Sequence, residues 1–467
     1  MTFQDTTRLR ARFAQSLSEM YGEEVPAYTT LVEVSQEVNQ EYLAARGETA
    51  ERLGSIERVT AERHGAIRVG SPQEMAQVAR VFAAFGMYPV GFYDLREAAK
   101  SSVPVVSTAF RAIDRGELAK NPFRVFTSML ATDDPRFFPP DLQRRLKKFI
   151  GERTIFSEEL LALADRAAAE SGLEASAADQ LIDLATKAFE LNPEPIDEQW
   201  YFELEAISAV ASDIGGVRYT HINHLTPRVL DIDALYRKME DRGITMIDEI
   251  QGPPDWDGPD ILLRQTSFRA LDEPRTFRFS DGSIGEGPLR VRFGEVEQRG
   301  IALTPAGREL FDRMNGEVDE LLASGTPGTR VELARGVWEK HLPRTEKGLR
   351  DQGLAYFTYE AVGQAEPGDY TAEELIDAGA LRPEPIVYED FLPRSAAGIF
   401  QSNLKEEGTR DNEQEGTSYD LHSLAEIIGR DIIEPYSLYH AQEEESLEKA
   451  AAQLGVTIAP TPALNNS

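Results

Sequence analysis

The sequence predicts an α+β fold: two βαββ units sharing one curved sheet, with a large helical insertion between them and helical additions at both ends. Three observations predict it. The pattern H-x-x-x-R occurs twice, as His64/Arg68 in "HGAIRVG" and as His224/Arg228 in "HINHLTPRV". The pattern T-x-F-R-A also occurs twice, in "TAFRAI" from Thr108 and in "TSFRAL" from Thr266. His64 and Thr108 stand 44 positions apart and His224 and Thr266 stand 42 apart, so the motifs fall in register, as an internal duplication requires.

Residues 1–60 read as helices, with Leu9, Phe13, Leu17 and Met20 on one apolar stripe. Residues 61–305 read as the duplicated core. "HGAIRVG" alternates and closes at Gly70, as a strand does. "SPQEMAQVARVFAAFG" is a helix with Ser71 as N-cap and Pro72 in the first turn. "MYPVGFYDL" and "VPVVSTAFRAI" read as two further strands. An insertion at about 135–200 carries three amphipathic helical patterns and leaves through the proline-rich "NPEPIDEQW". The second copy repeats the order: strand "HINHLTPRV", helix "DIDALYRKMEDRG", then strands "ITMIDEIQG" and "DILLRQTSFRAL". A final strand, "LRVRFGEVEQRG", follows. Residues 306–467 read as helices and loops packed on the core, and "PIVYEDFLPRSAAGIFQSN" has the mixed polarity of a site lining.

Composition narrows the chemistry. The chain has 467 residues and no cysteine, which removes disulfides, thiolate metal sites, iron–sulfur clusters and cysteine nucleophiles together. It carries 80 acids against 49 bases, a formal charge of −31. Such a surface repels nucleic acid and anionic membranes. No signal-peptide core or run of membrane-spanning length occurs, so a soluble cytoplasmic protein is expected. Phosphate-loop, dinucleotide and nucleophile-elbow patterns are missing. Nothing in the sequence fixes the oligomeric state.

On paired βαββ units the first strands lie side by side, which sets His64 opposite His224. A lone strand histidine is usually structural; a second in register changes the weight. Two imidazoles need a third ligand for a divalent metal. "RFGEVEQRG" offers one, since alternation places Phe293, Glu295 and Glu297 on one face. Two histidines and a carboxylate form the facial triad of non-haem Fe(II) oxygenases, and such a set also suits Zn, Mn or Ni. His221, three positions before His224, falls on the opposite face and reads as support. His341, His422 and His440 read as structural. Arg68 shares the face of His64 and can grip a substrate carboxylate bidentately or pair with an acid. Arg228, behind Pro227, reads as structural.

The blocks "ERHGAIRVG", "STAFRA", "PFRVFTS", "HINHLTPR", "ILLRQTSF", "RFGEVEQRGIALTP", "GLAYF" and "VYEDFLPRSAAGIFQSN" resemble the 2-oxoadipate dioxygenase/decarboxylases, or hydroxyglutarate synthases, a divergent branch of the vicinal-oxygen-chelate superfamily. The likeness runs over nearly the whole chain. It implies His64, His224 and Glu295 as ligands of Fe(2+), and Arg68 on the substrate carboxylate. It also implies a substrate contact just before "SAAGIF", where Arg394 stands in place of an expected valine. The implied reaction takes 2-oxoadipate, a small anionic 2-oxo acid, and O2 to 2-hydroxyglutarate and CO2, a step of bacterial lysine breakdown. The residues by themselves leave open a non-redox metal-dependent isomerase or lyase, and a non-catalytic small-molecule binding protein.

Overall fold

The computed structural model describes residues 3–97, 103–289, 292–395, 399 and 416–459. Most of the "SAAGIFQSN" block therefore lies outside the described residues. The chain runs β1 (Phe3–Asp5), α1 (Thr6–Glu24), α2 (Pro26–Arg46), α3 (Ile56–Ala61), β2 (Arg63–Val69), α4 (Pro72–Ala83), β3 (Tyr88–Asp94), β4 (Val105–Arg111), α5 (Arg115–Lys120) and β5 (Arg124–Leu130). The insertion holds α6 (Pro140–Gly151), α7 (Glu158–Glu170), β6 (Gly172–Glu174), α8 (Ala175–Lys187), β7 (Ile196–Asp197), α9 (Glu198–Glu205) and α10 (Ala209–Gly215). The second unit holds β8 (Ile222–Pro227), α11 (Ile232–Asp241), β9 (Leu263–Phe268), β10 (Glu273–Arg278), β11 (Ile284–Leu289) and β12 (Gly294–Arg299). Further helices and two strand pairs, Phe357–Ala361 with Leu381–Pro385 and Asp369–Tyr370 with Thr457–Ile458, make up the rest of the described residues. No helix among the described residues is long and apolar enough to cross a membrane.

The mixed helix-and-sheet architecture read from the sequence is the one observed. The central sheet has the order β3-β4-β5-β2-β8. The first strands of the two units, β2 and β8, pair antiparallel. On the far side of β8, β12 and β9 form an antiparallel ladder. It joins through the Arg228–Glu297 bridge and a 2.8 Å bond from the Val229 amide to the Glu297 carbonyl. Seven strands thus run from β3 to β9.

Local chemistry explains the elements. The Ser71 hydroxyl accepts from the Glu74 amide at the start of α4, and Asp231 caps α11 in the same way. Leu9, Phe13 and Leu17 of α1 are buried, with Tyr21 in place of the expected Met20. Ile67, Val69, Ile222 and Val296 point from the sheet into the main core beside Phe82 of α4. Burial of each such side chain contributes about 1.5–3 kcal/mol. Alternate residues of β2 and β12, among them His64, Arg68, Glu295 and Glu297, face the other way.

The structure departs from the expected pattern in three places. "PFRVFTS" is a full strand, β5, parallel to β2, so the first unit has four strands. All its residues are buried, so it shows no polar–apolar alternation from which to infer a strand. The expected strand over "ITMIDEIQG" is held only by isolated bridges, Met246 to Phe268 and Gln251 to Gln265. Gly252 ends it at φ +100°, where an added Cβ would lie 2.2 Å from the Leu263 carbonyl oxygen. The helical insertion continues to Gly215, past the expected exit near residue 200, and its last helix carries Asp213.

Candidate metal centre

His64 on β2, His224 on β8 and Glu295 on β12 meet on the polar face of the sheet, all buried. Their nearest ligand atoms lie within 4.8 Å of one another. Glu295 Oε2 stands 3.3 Å from His64 Nε2 and 3.5 Å from His224 Nε2. The two rings meet edge to face at 5.5 Å. Gln265 Nε2 donates to the same Glu295 oxygen at 3.3 Å.

These residues fit a divalent cation. His64 Nδ1–H donates to Glu297 Oε2 at 2.8 Å, which turns the Nε2 lone pair toward the Glu295 carboxylate. An acceptor then faces an acceptor, an arrangement that needs a cation between them. Burial disfavours a charged His64, yet Glu297 and Glu295 together raise its pKa above the ordinary histidine value, so a proton can stand where a metal would. Burial pushes His224 down to about 4, which leaves its imidazole neutral and able to ligate. His224 Nδ1 is buried without a hydrogen-bond partner among the described residues. Two nitrogens and one oxygen suit Fe, Mn, Co, Ni or Zn.

Arg68 lies two residues beyond Ala66 on the same face and forms an ion pair with Asp213 of α10. Asn223 Nδ2 donates to Asp213 Oδ2 at 2.9 Å and lies 3.1 Å from His221 Nε2. His221 therefore does not point to the opposite face, as parity predicted. The β2–β8 register slips after Ala66: Ala66 faces His224, but Ile67 faces Ile222. A bulge at Asn223 resets the alternation and brings His221 into the Asp213 cluster. Tyr21 pins the bulge, donating to the Asn223 and Phe293 carbonyls at 3.0 Å each. Burial pushes His221 down to about 4, so it is neutral near pH 7. Burial would raise the Asp213 carboxyl, but His221, Arg68 and Asn223 hold it below its usual value.

Arg394 is not at this centre. Its side chain is 59% exposed and pairs with Asp319 of the helix Pro305–Ala323 at 2.6 Å. An exposed guanidinium beside an acid in water has no cause to turn inward.

Beneath the triad lies a buried ion network that sequence reasoning missed. Arg124 Nη2 pairs with Glu62 at 2.7 Å and Glu389 at 2.6 Å, and Arg228 pairs with Glu62 at 2.9 Å. Burial would raise these carboxyls, but Arg124, Arg228, Arg58 and Arg299 hold Glu62 well below the usual range. Against the same burial, Arg299, His64 and Arg124 hold Glu297 down to about 2. Carboxyls depressed in the folded state stabilise it fully above their unfolded pKa of about 4.3 and lose that contribution as protons bind. The thermal midpoint of the metal-free protein is therefore expected to fall as pH drops from about 5 toward 2. A flat midpoint across that range, read by circular dichroism, contradicts this.

Phe391, from the "VYEDFLPR" block, packs edge-on against His64 at 5.0 Å, and Phe293 lies 5.4 Å from His224. The two rings wall the centre. One missed residue had a sequence signal: Asp213 is an acid inside the apolar run "AISAVASDIGG", costly to bury unless paired.

The chain is similar to known proteins over nearly its whole length. The model of the family described as 2-oxoadipate dioxygenase/decarboxylase matches residues 13–403. A 2-oxoadipate dioxygenase/decarboxylase of Mycobacterium bovis is 55% identical over 440 residues, covering 94% of this chain and 97% of the relative. One from Pseudomonas putida is 40% identical over 461 residues, covering 96% and 97%. The crystal structure of the Pseudomonas putida hydroxyglutarate synthase in complex with 2-oxoadipate superposes with a TM-score of 0.82 at 38% identity. That match covers 97% of this chain and all of the other.

Proposed function

The chain belongs to the 2-oxoadipate dioxygenase/decarboxylase family, and we propose that His64, His224 and Glu295 bind Fe(II) as its catalytic metal, with Arg68 on the substrate. As a member, the protein is an enzyme that converts 2-oxoadipate and O2 to 2-hydroxyglutarate and CO2. The observation that carries the metal assignment is the convergence of two histidine nitrogens on one buried carboxylate oxygen. Fe(II) is the choice because the reaction consumes dioxygen, which a metal without accessible redox states does not activate. Bound there, iron would supply a redox centre at which a 2-oxo acid and dioxygen meet.

The protein's own groups do the rest. Gln265 orients the Glu295 carboxylate. Arg68, fixed by Asp213, presents a guanidinium on the sheet face that carries His64 and offers the substrate's carboxylate a charge-assisted partner. Phe391 and Phe293 keep water from the reacting atoms. We place the enzyme in the cytoplasm, in lysine breakdown.

The test is an atom balance. The CO2 that leaves carries two oxygens of the substrate, so both atoms of O2 must end in 2-hydroxyglutarate. With labelled dioxygen and Fe(II), the product acid is expected to gain two labelled atoms per CO2 released. Turnover without oxygen, or product lacking the label, contradicts the reading.

A further inference from the structure

We infer that Glu297 is the positioning residue of this centre: it accepts the His64 Nδ1 proton and, clamped by Arg299, fixes the ring so that Nε2 is presented to the metal. The inference rests on His64, His224 and Glu295 being the metal ligands. Glu297 follows Glu295 by two residues on β12 and shares its face, so one strand delivers both the ligand and the support of another ligand.

Both carboxylate oxygens of Glu297 are engaged. Arg299 Nε donates to Oε1 at 2.7 Å and its Nη2 donates to Oε2 at 2.9 Å, a bidentate clamp that sets the carboxylate plane. Arg124 Nη1 adds a longer contact to Oε1 at 3.5 Å. Oε2 is left aimed at His64 Nδ1, 2.8 Å away. The two guanidiniums thus fix the carboxylate against which Nδ1 rests, and with it the plane of the ring.

The same clamp reaches the opposite side of the ring. Arg299 Nη1 donates to the Tyr388 and Asp390 carbonyls, at 2.8 and 3.0 Å. Those residues lead directly into Phe391, whose ring packs on His64. One arginine thus holds the carboxylate at Nδ1 and the backbone that carries the aromatic wall. A structural ion pair would need neither the aim at Nδ1 nor the engagement of both oxygens. Supporting groups of this type typically change metal affinity by about 10–100-fold.

The experiment is a Co(II) titration of metal-free wild type, Glu297→Gln and Glu295→Gln, followed by calorimetry and the visible d–d bands. Glu297→Gln is expected to bind Co(II) about 10–100-fold more weakly, with shifted bands, because the ring is no longer held. Glu295→Gln is expected to lose the bands. Wild-type affinity and bands in Glu297→Gln overturn the positioning role. Wild-type binding in Glu295→Gln instead overturns the ligand assignment on which it rests. Should Glu297→Gln fail to fold, the zinc-loaded wild type decides by nitrogen NMR. A His64 proton on Nδ1 is expected, and a proton on Nε2 overturns the inference.

Discussion

His224→Ala and Glu295→Ala are expected to abolish iron binding and turnover, whereas His221→Ala retains the metal. The first two remove groups whose atoms converge at 3.5 Å on the inner side of the site. Their loss should exceed the ~10–100-fold effect of removing a supporting group. His221 sits one step outward, against Asp213 at 3.5 Å, and Asp213 holds Arg68. Its removal should loosen Arg68 and raise the KM for 2-oxoadipate while iron stays bound. Metal content after dialysis, with the folded state checked by circular dichroism, separates the three. Iron retained in both His224→Ala and Glu295→Ala would refute the triad.

Arg68→Met is expected to lose both catalysis and stability, for separable reasons. A hydrogen bond to a charged group is worth about 1.5–3 kcal/mol, so losing the substrate carboxylate's partner should cut kcat/KM by about 10–150-fold. The same change strands the Asp213 carboxylate, which is buried, and stranding one member of a buried pair costs about 3–5 kcal/mol of stability. The double variant Arg68→Met/Asp213→Asn should recover most of the thermal midpoint and none of the activity. Full activity in Arg68→Met, or activity recovered in the double variant, would remove Arg68 from the substrate.

These expectations rest on features the sequence revealed unevenly. His64 and His224 were legible because two motifs recur in register, and the fold pairs the strands that carry them. Glu295 and Glu297 were legible as a same-face pair from period-2 alternation, and both lie on His64. That arithmetic misplaced His221, because it assumes an unbroken ladder and β8 carries a bulge at Asn223. No local signal announces that bulge; Tyr21, some 200 residues earlier, helps to hold it. β5 escaped notice for the opposite reason: buried on both faces, it has no alternation to read. Asp213 and Phe391 reach the centre from an insertion helix and a C-terminal segment, by contacts that no spacing rule encodes. Arg394 shows the converse, a residue placed near the substrate by resemblance and found in solvent beside Asp319.

The most direct measurement is an anomalous difference map at the iron edge, from crystals grown without oxygen in the presence of Fe(II) and 2-oxoadipate. One iron peak is expected, touching His64 Nε2, His224 and Glu295, with the substrate reaching Arg68. A peak elsewhere, or none among these three side chains at full iron loading, would contradict the account.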